Sequence, residues 1–123
     1  MIVDTSALLA LLFGEATAEW VATELNAHAG DLFMSTVNLA ETLILLADRQ
    51  PTLFAELEER VLDSGITFVA PDVDQARTAS EARLRYPLNL GDCFAYALAV
   101  ASERPVLTLD GDFRATDVAV RMP

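Results

Sequence analysis

The fold can be inferred first from the N-terminal segment Met1-Ile2-Val3-Asp4-Thr5-Ser6-Ala7-Leu8. Its first residues form an apolar run short enough for one buried strand, and the leucine-rich segment that follows predicts an apolar helix that Gly14 can end. An acid, Asp4, stands where the strand stops. A second apolar run ends on an acid in the same way, at Val106-Leu107-Thr108-Leu109-Asp110. The chain is therefore expected to alternate short strands with helices.

Outward from this stretch, the remaining sequence continues the alternation. Strands are expected at Met1–Asp4, Leu32–Met34, Ile66–Ala70, Val106–Leu109 and Val118–Val120. Helices are expected at Thr5–Phe13, Ala16–His28, Ser35/Thr36–Ala47, Pro51–Leu62, Asp72–Arg85 and Asp92–Ser102. Such an order predicts an α/β fold with a parallel central sheet of about five strands flanked by helices. With no repeat or linker in between, residues 1–123 are expected to form a single domain.

Composition narrows the class of protein. Of the 123 residues, 53% are hydrophobic, which is enough for one real core. No apolar run reaches the roughly 20 residues that span a bilayer, and Asp4 interrupts what would be the core of a signal sequence. We therefore expect no membrane segment and a cytoplasmic location. The single cysteine, Cys93, is expected to be a small buried hydrophobe.

The net charge and the absence of particular residues make several functions less favoured. A net charge of −11 repels polyanions, so a nuclease is possible only if metal ions neutralise its site locally. All eight basic residues are arginines, which removes chemistry that needs a lysine, including that of a phosphoacceptor receiver domain. A dehalogenase-like phosphatase would carry a second Asp two residues after Asp4, where Ser6 stands. Both alternatives are therefore disfavoured.

Four acids lie within or beside apolar segments with no basic residue nearby in sequence: Asp4, Glu41, Asp92 and Asp110. Charges in such places are costly to desolvate unless they are paired or bind a metal, and carboxylates suit Mg²⁺ and Mn²⁺. Asp4 and Asp110 would converge if their strands are neighbours, because open α/β sheets bind ligands at the carboxyl ends of their strands. Asp92 would begin a helix, and Glu41 would project from the middle of one. The four together could hold one or two metal ions.

Each acid also has a purely structural interpretation. Asp4 and Asp92 could cap the helices that follow them, and Glu41 could extend from its helix into solvent. The segment Asp110-Gly111-Asp112 on its own predicts a turn. The order in which all of these occur favours a common site over four separate coincidences.

Four segments, taken in order, resemble those of PIN-domain ribonucleases, and most closely the VapC-type toxins of bacterial toxin–antitoxin pairs. The segments are Ile2-Val3-Asp4-Thr5-Ser6-Ala7-Leu8, Asn38-Leu39-Ala40-Glu41, Leu90-Gly91-Asp92-Cys93-Phe94-Ala95-Tyr96-Ala97-Leu98-Ala99 and Leu107-Thr108-Leu109-Asp110-Gly111-Asp112-Phe113. Each segment alone is a weak signal, but their order and spacing are fairly specific.

The resemblance implies a Mg²⁺- or Mn²⁺-dependent endoribonuclease whose three core acids are Asp4, Glu41 and Asp92. It also implies that Ser6 provides a hydroxyl near the metal. The fourth acid matches either Asp110 or Asp112. Strand-end geometry favours Asp110, and Asp117 is a third candidate.

The resemblance further implies partners. RNA would be the substrate. Because the net charge of −11 repels most of the RNA backbone, we expect the metals and a few arginines, such as Arg83, Arg85 or Arg114, to hold it. A homodimer is expected, bound by a VapB-type antitoxin whose segment covers the acidic groove. The alternative from another class is a catalytically silent PIN-like module that only binds a protein partner.

Overall fold

The structure is a computed structural model that describes residues 1–123. Its centre is a parallel sheet of five short strands: β1 (Ile2–Val3), β2 (Phe33–Ser35), β3 (Thr67–Val69), β4 (Val106–Leu107) and β5 (Val120–Arg121). Six α-helices connect and cover them: α1 (Thr5–Leu12), α2 (Ala18–Ala27), α3 (Thr36–Arg49), α4 (Phe54–Leu62), α5 (Val73–Arg85) and α6 (Leu90–Ser102). A 3-10 helix, Gly111–Ala115, follows β4. The predicted α/β class is confirmed.

The strand order is β3-β2-β1-β4-β5, and every neighbouring pair is parallel. From β1 the chain moves outward to β2 and β3, and then returns to the other side of β1 with β4. The order therefore reverses between β1 and β4, where Ile2 pairs with Val106 and Val3 with Leu107. In open α/β sheets this reversal leaves a crevice at the carboxyl ends of the two strands.

Strand alternation divides the core between the two faces of the sheet. Val3 and Leu107 pack in one cluster with buried residues of α1, α2, α3 and α4. Ile2 and Val106 pack in the other cluster with α5, α6 and Phe113. Successive side chains of a strand point to opposite faces, so these short runs are apolar throughout because helices cover both sides.

Several predicted boundaries were wrong by a few residues. Pro51 lies in the turn before α4 and not in its first turn, because α4 begins at Phe54. Helix α6 begins at Leu90 and not at Asp92, since Asn89 caps it. The fifth strand is Val120–Arg121 and not Val118–Val120. None of the helices combines the length and the hydropathy that crossing a bilayer requires.

Candidate metal centre

Asp4 ends β1 at the point where the strand order reverses. Its backbone N–H donates to the carbonyl of Leu107 at 3.0 Å, which extends the pairing of β1 with β4. Although Asp4 occupies the N-cap position of α1, its side chain makes no capping hydrogen bond. The buried carboxylate instead accepts hydrogen bonds from the hydroxyls of Ser6, at 2.7 Å, and Thr108, at 2.8 Å. The helix-cap interpretation of Asp4 is therefore wrong for its side chain.

The two hydroxyls link the ends of β1 and β4. Each has a single proton, and both can donate it to the same oxygen, Oδ2 of Asp4. Their lone pairs then accept from the backbone: Ser6 Oγ from the N–H of Leu109 and Thr108 Oγ1 from the N–H of Asp110, each at 2.9 Å. The network fixes Oδ2 and leaves Oδ1 of Asp4 free of side-chain donors.

Burial raises the pKa of Asp4, and the nearby charge of Glu41 raises it further, while the hydrogen bonds from Ser6 and Thr108 partly oppose the rise. Desolvation and like charge both disfavour a carboxylate anion. A nearby cation would reverse both effects. A positive charge at the site would therefore stabilise the ionised carboxylate, and no side chain supplies one.

Asp92 stands in the first turn of α6, where it forms a capping box with Asn89. The Asn89 side chain accepts from the Asp92 N–H at 2.9 Å, and an Asp92 oxygen accepts from the Asn89 N–H at 3.3 Å. The structural interpretation of Asp92 is thus partly correct. Burial, followed by the charge of Asp4, raises the pKa of Asp92 to about 7. A capping role alone does not explain why this carboxyl lies where its ionised form is so strongly disfavoured.

Asp110 and Asp112 complete the acidic edge. Asp92, Asp110 and Asp112 each offer one carboxylate oxygen, and these three oxygens lie within 4.8 Å of one another. Asp110 is half-buried and Asp112 is exposed. Oδ1 of Asp110 also accepts the N–H of Asp112 at 2.9 Å and so begins the 3-10 helix Gly111–Ala115. The predicted turn at this segment is present, and it brings both acids to Asp92.

Glu41 reaches the same region from α3. It is half-buried, and its carboxylate lies against the backbone of Gly91 in the first turn of α6. Its charge raises the pKa of Asp4, so the two acids are electrostatic neighbours. The structure therefore gathers the carboxylates of Asp92, Asp110 and Asp112 into one group, and it places Asp4 and Glu41 beside this group at the same edge of the sheet.

Asp117, the third candidate for the fourth acid, belongs to a different cluster. Its Oδ1 accepts a hydrogen bond from Tyr96 at 2.7 Å, and Arg85 lies 3.8 Å from its Oδ2. The hydrogen bond from Tyr96 lowers the pKa of Asp117. The four salt bridges of the chain use Asp31, Asp117 and Glu24, so every acid of the edge lacks a basic partner.

The donor set fits a hard divalent cation. It consists of carboxylate oxygens, which Mg²⁺ and Mn²⁺ prefer, and contains no thiolate or imidazole. Oxygens that share one Mg²⁺ at about 2.1 Å are at most about 4.2 Å apart. The 4.8 Å limit on the oxygens of Asp92, Asp110 and Asp112 is close to that spacing.

Three residues for which no role was predicted support this edge: Thr108, Asn38 and Gly91. Thr108 and Asn38 are both completely buried. A polar residue on the apolar side of a strand or helix is itself a signal, because buried polar groups need partners. Gly91 stands just before the predicted helix Asp92–Ser102 and falls inside α6 only because this helix begins at Leu90. The signals for Thr108 and Asn38 were present in the sequence.

A doubly covered parallel sheet with carboxylates at its switch point defines an α/β domain with an acidic ligand edge. Residues 1–119 match the family model of the PIN domain. Ribonuclease VapC of Mycolicibacterium smegmatis is 41% identical over 133 residues, which cover 97% of this chain and 98% of the relative. The chain therefore belongs to the PIN domain family, among the VapC ribonucleases.

Solved structures agree on the fold. VapC20 of Mycobacterium tuberculosis, described as a toxin that cleaves the sarcin-ricin loop, superposes with a TM-score of 0.79 at 22% identity, covering 99% of this chain and 98% of that one. A toxin–antitoxin complex from Klebsiella pneumoniae gives a TM-score of 0.78 at 22% identity, with 99% and 96% covered. At these identities the likeness establishes the fold alone.

Proposed function

We propose that this chain is a divalent-metal-dependent endoribonuclease and acts as the toxin of a toxin–antitoxin pair. The observation that carries the proposal is the group formed by Asp92, Asp110 and Asp112, which has no basic partner. It lies at the β1–β4 switch point beside the buried Asp4, whose charge raises the pKa of Asp92. The relatives named as VapC ribonucleases support the RNA-cleaving activity.

In this proposal Asp4, Glu41, Asp92 and Asp110 hold Mg²⁺ or Mn²⁺. The metal, when bound, activates a water molecule as nucleophile and stabilises the leaving oxygen of the phosphodiester. Asp4 presents Oδ1, because Ser6 and Thr108 already occupy Oδ2. Asp92 gives up its proton on binding, since only the ionised carboxylate is a strong ligand.

Asp110 is the better candidate for the fourth ligand, and Asp112 is the alternative. Thr108 holds the backbone N–H of Asp110 and at the same time the carboxylate of Asp4, so these two acids are tied to each other. Asp110 is also half-buried, whereas Asp112 is exposed. An ordered, partly desolvated carboxylate loses less entropy when it binds a metal.

RNA is proposed to be held by the metals and by Arg114. The guanidinium of Arg83 donates to the carbonyl of Leu88 at 2.7 Å, and that of Arg85 is engaged by Tyr96 at 3.1 Å. Arg114 is exposed, follows Asp112 by two residues and takes part in none of the salt bridges. We infer from its nearness in sequence to Asp112 that Arg114 meets a phosphate beside the acidic edge.

Two protein partners complete the proposal. The acidic edge would attract an antitoxin segment that carries arginine, and the toxin–antitoxin complex of the Klebsiella pneumoniae neighbour supports such a partner.

A second copy of this chain would cover the apolar residues beside Glu41, since Ile44 and Leu90 are 66% and 74% exposed and line one groove with Val37. Light scattering of the wild type and of Leu90→Glu tests the dimer.

The function is tested by incubating single-stranded RNA with the purified chain in Mn²⁺, with and without EDTA. We expect cleavage that EDTA abolishes and that Asp4→Asn reduces by orders of magnitude, because the amide cannot replace an anionic ligand. The matched control is Asp63→Asn, which changes the exposed acid that caps the C-terminus of α4. This variant should cleave like the wild type. If no RNA is cleaved in any metal, the chain is instead a protein-binding module with a silent site.

A further inference from the structure

Asn38 joins the three chain segments that carry the core acids. It is completely buried in the first turn of α3, three residues before Glu41. Its Nδ2 donates to the carbonyl of Gly91, the residue before Asp92, at 2.9 Å. Its backbone carbonyl accepts from the hydroxyl of Thr5, the residue after Asp4, at 3.3 Å, and its Nδ2 lies 3.4 Å from the same hydroxyl.

These contacts connect parts of the chain that are 33 and 53 residues apart in sequence. Apolar packing tolerates small sliding movements, so polar bonds are needed to set the spacing between α1, α3 and α6. Few other polar bonds at this edge could do so. A hydrogen bond of 2.9 Å to the Gly91 carbonyl fixes the first turn of α6 relative to α3. Glu41 and Asp92 are then held at a set separation on either side of this bond.

An amide at position 38 would be destabilising if its role were only to fill the core. The Gly91 carbonyl requires the NH₂ end of the side chain, so Oδ1 points elsewhere, and no group of the protein donates a hydrogen bond to this buried oxygen. An unsatisfied buried polar atom destabilises the fold, and a leucine of similar size would avoid it. The contacts with Thr5 and Gly91 are therefore what the amide supplies.

We propose that Asn38 is a positioning residue for the metal centre, which sets the distances between Asp4, Glu41 and Asp92 without touching the metal. The inference rests on the proposed function, because it assigns those three acids to a metal site. Groups that orient metal ligands typically change metal affinity by about 10- to 100-fold when they are removed. The loss should therefore appear in metal binding more than in folding.

The test measures the Mn²⁺ dissociation constant, from the EPR signal of free Mn²⁺, for the wild type, Asn38→Leu and Thr42→Val. Thr42 is a matched control, since it is completely buried one turn along α3 and its hydroxyl donates only to the Asn38 carbonyl, at 2.8 Å. We expect Asn38→Leu to weaken Mn²⁺ binding by about 10- to 100-fold. Thr42→Val should stay within about twofold of the wild type, because it leaves the bond to Gly91 intact.

Asn38→Ser provides a second variant, too short to bond Gly91 but still polar, in case the leucine variant fails to fold. It should weaken Mn²⁺ binding by a similar factor and raise the Mn²⁺ concentration that half-activates cleavage, with the KM for RNA unchanged. If a folded Asn38 variant binds Mn²⁺ as the wild type does, or if Thr42→Val is equally weakened, the positioning role is wrong while the proposed function stands. If the wild type itself binds no Mn²⁺, the proposed function fails and this inference fails with it.

Discussion

The carboxylate of Glu41 lies directly against the backbone of Gly91, in the space that any other residue at position 91 would fill. A Cβ atom at Gly91 would be 2.6 Å from Oε2 and 2.7 Å from Oε1 of Glu41. Real Cβ atoms do not approach oxygen so closely, so Glu41 can hold its position only opposite glycine. The helix that carries Asp92 and the helix that carries Glu41 meet at this contact.

Gly91→Ala should therefore displace the Glu41 carboxylate without unfolding the chain. Alanine is favoured over glycine within a helix by about 0.5–1 kcal/mol, so the melting temperature should be unchanged or higher. Mn²⁺ affinity and RNA cleavage should fall about tenfold or more, because a proposed ligand has moved. Gly111→Ala is the control, since a Cβ there meets nothing within 4 Å. Unchanged Mn²⁺ affinity in Gly91→Ala would exclude Glu41 as a ligand in its observed position.

Thr108→Val should weaken both the fold and the metal site. The substitution keeps the shape of the side chain but removes the hydroxyl that joins Asp4 Oδ2 to the Asp110 N–H. Leaving buried groups without partners costs about 1–3 kcal/mol, which urea denaturation of the apo protein would measure. Mn²⁺ affinity should fall as well. Thr116→Val, which loses only a local bond to the Phe113 carbonyl, serves for comparison, and equal behaviour of the two variants would contradict the linking role of Thr108.

The metal-free protein should lose stability as the pH rises, through Asp92. Burial and the charge of Asp4 raise the pKa of Asp92 from 3.8 to about 7, so the folded chain binds this proton more tightly than the unfolded chain does. The proton on Asp92 therefore stabilises the fold fully below pH 3.8, and this stabilisation is lost as the pH rises through about 7. Asp92→Asn removes it, so the melting temperature of apo Asp92→Asn relative to the apo wild type should rise between about pH 4 and pH 8.

In the presence of Mn²⁺ the stability of the fold should depend on pH in the opposite direction, because the metal binds the ionised carboxylate. The melting-temperature increase produced by Mn²⁺ should therefore grow up to about pH 7 and then level off. A Mn²⁺ effect that does not change between pH 5 and pH 8 would show that Asp92 does not titrate with metal binding.

Arg114→Gln should raise the KM for RNA several-fold and leave kcat nearly unchanged, because the arginine is proposed to bind substrate and not to take part in the reaction. The slope of log affinity against log salt should become shallower by about 0.7, the value for one phosphate contact on a single strand. Arg77→Gln on the exposed side of α5 is the control. If both variants raise KM equally, RNA binds through general charge and Arg114 has no special role.

Much of this architecture could be predicted from the sequence because two apolar runs end in acids. Strands β1 and β4 are buried on both faces, so their sequences are continuously apolar, and Asp4 and Asp110 mark their carboxyl ends. The parallel pairing of β1 with β4 then brings the two acids together. The adjacency of β1 and β4, and with it the reversal of strand order, was only a condition of the sequence-based prediction and is established by the structure.

The supporting contacts could not be predicted, because they join residues far apart in sequence. The Asn38–Gly91 hydrogen bond and the Glu41–Gly91 contact depend on how α3 crosses the start of α6. The boundary of α6 was wrong for a local reason, since Asn89 and Asp92 act as a reciprocal cap and move the helix start to Leu90. An acid in the third position of a helix was mistaken for the residue that begins it.

Anomalous diffraction from crystals soaked in Mn²⁺ would show whether one acidic edge of the sheet holds the metal. We predict a manganese peak in contact with carboxylate oxygens of Asp4, Asp92 and Asp110, at the switch point between β1 and β4. The chain has other acids close together, including Glu56, Glu59 and Asp63 around one surface depression, which provide an internal comparison. A peak only at such surface acids, with none at the switch point, would contradict the account.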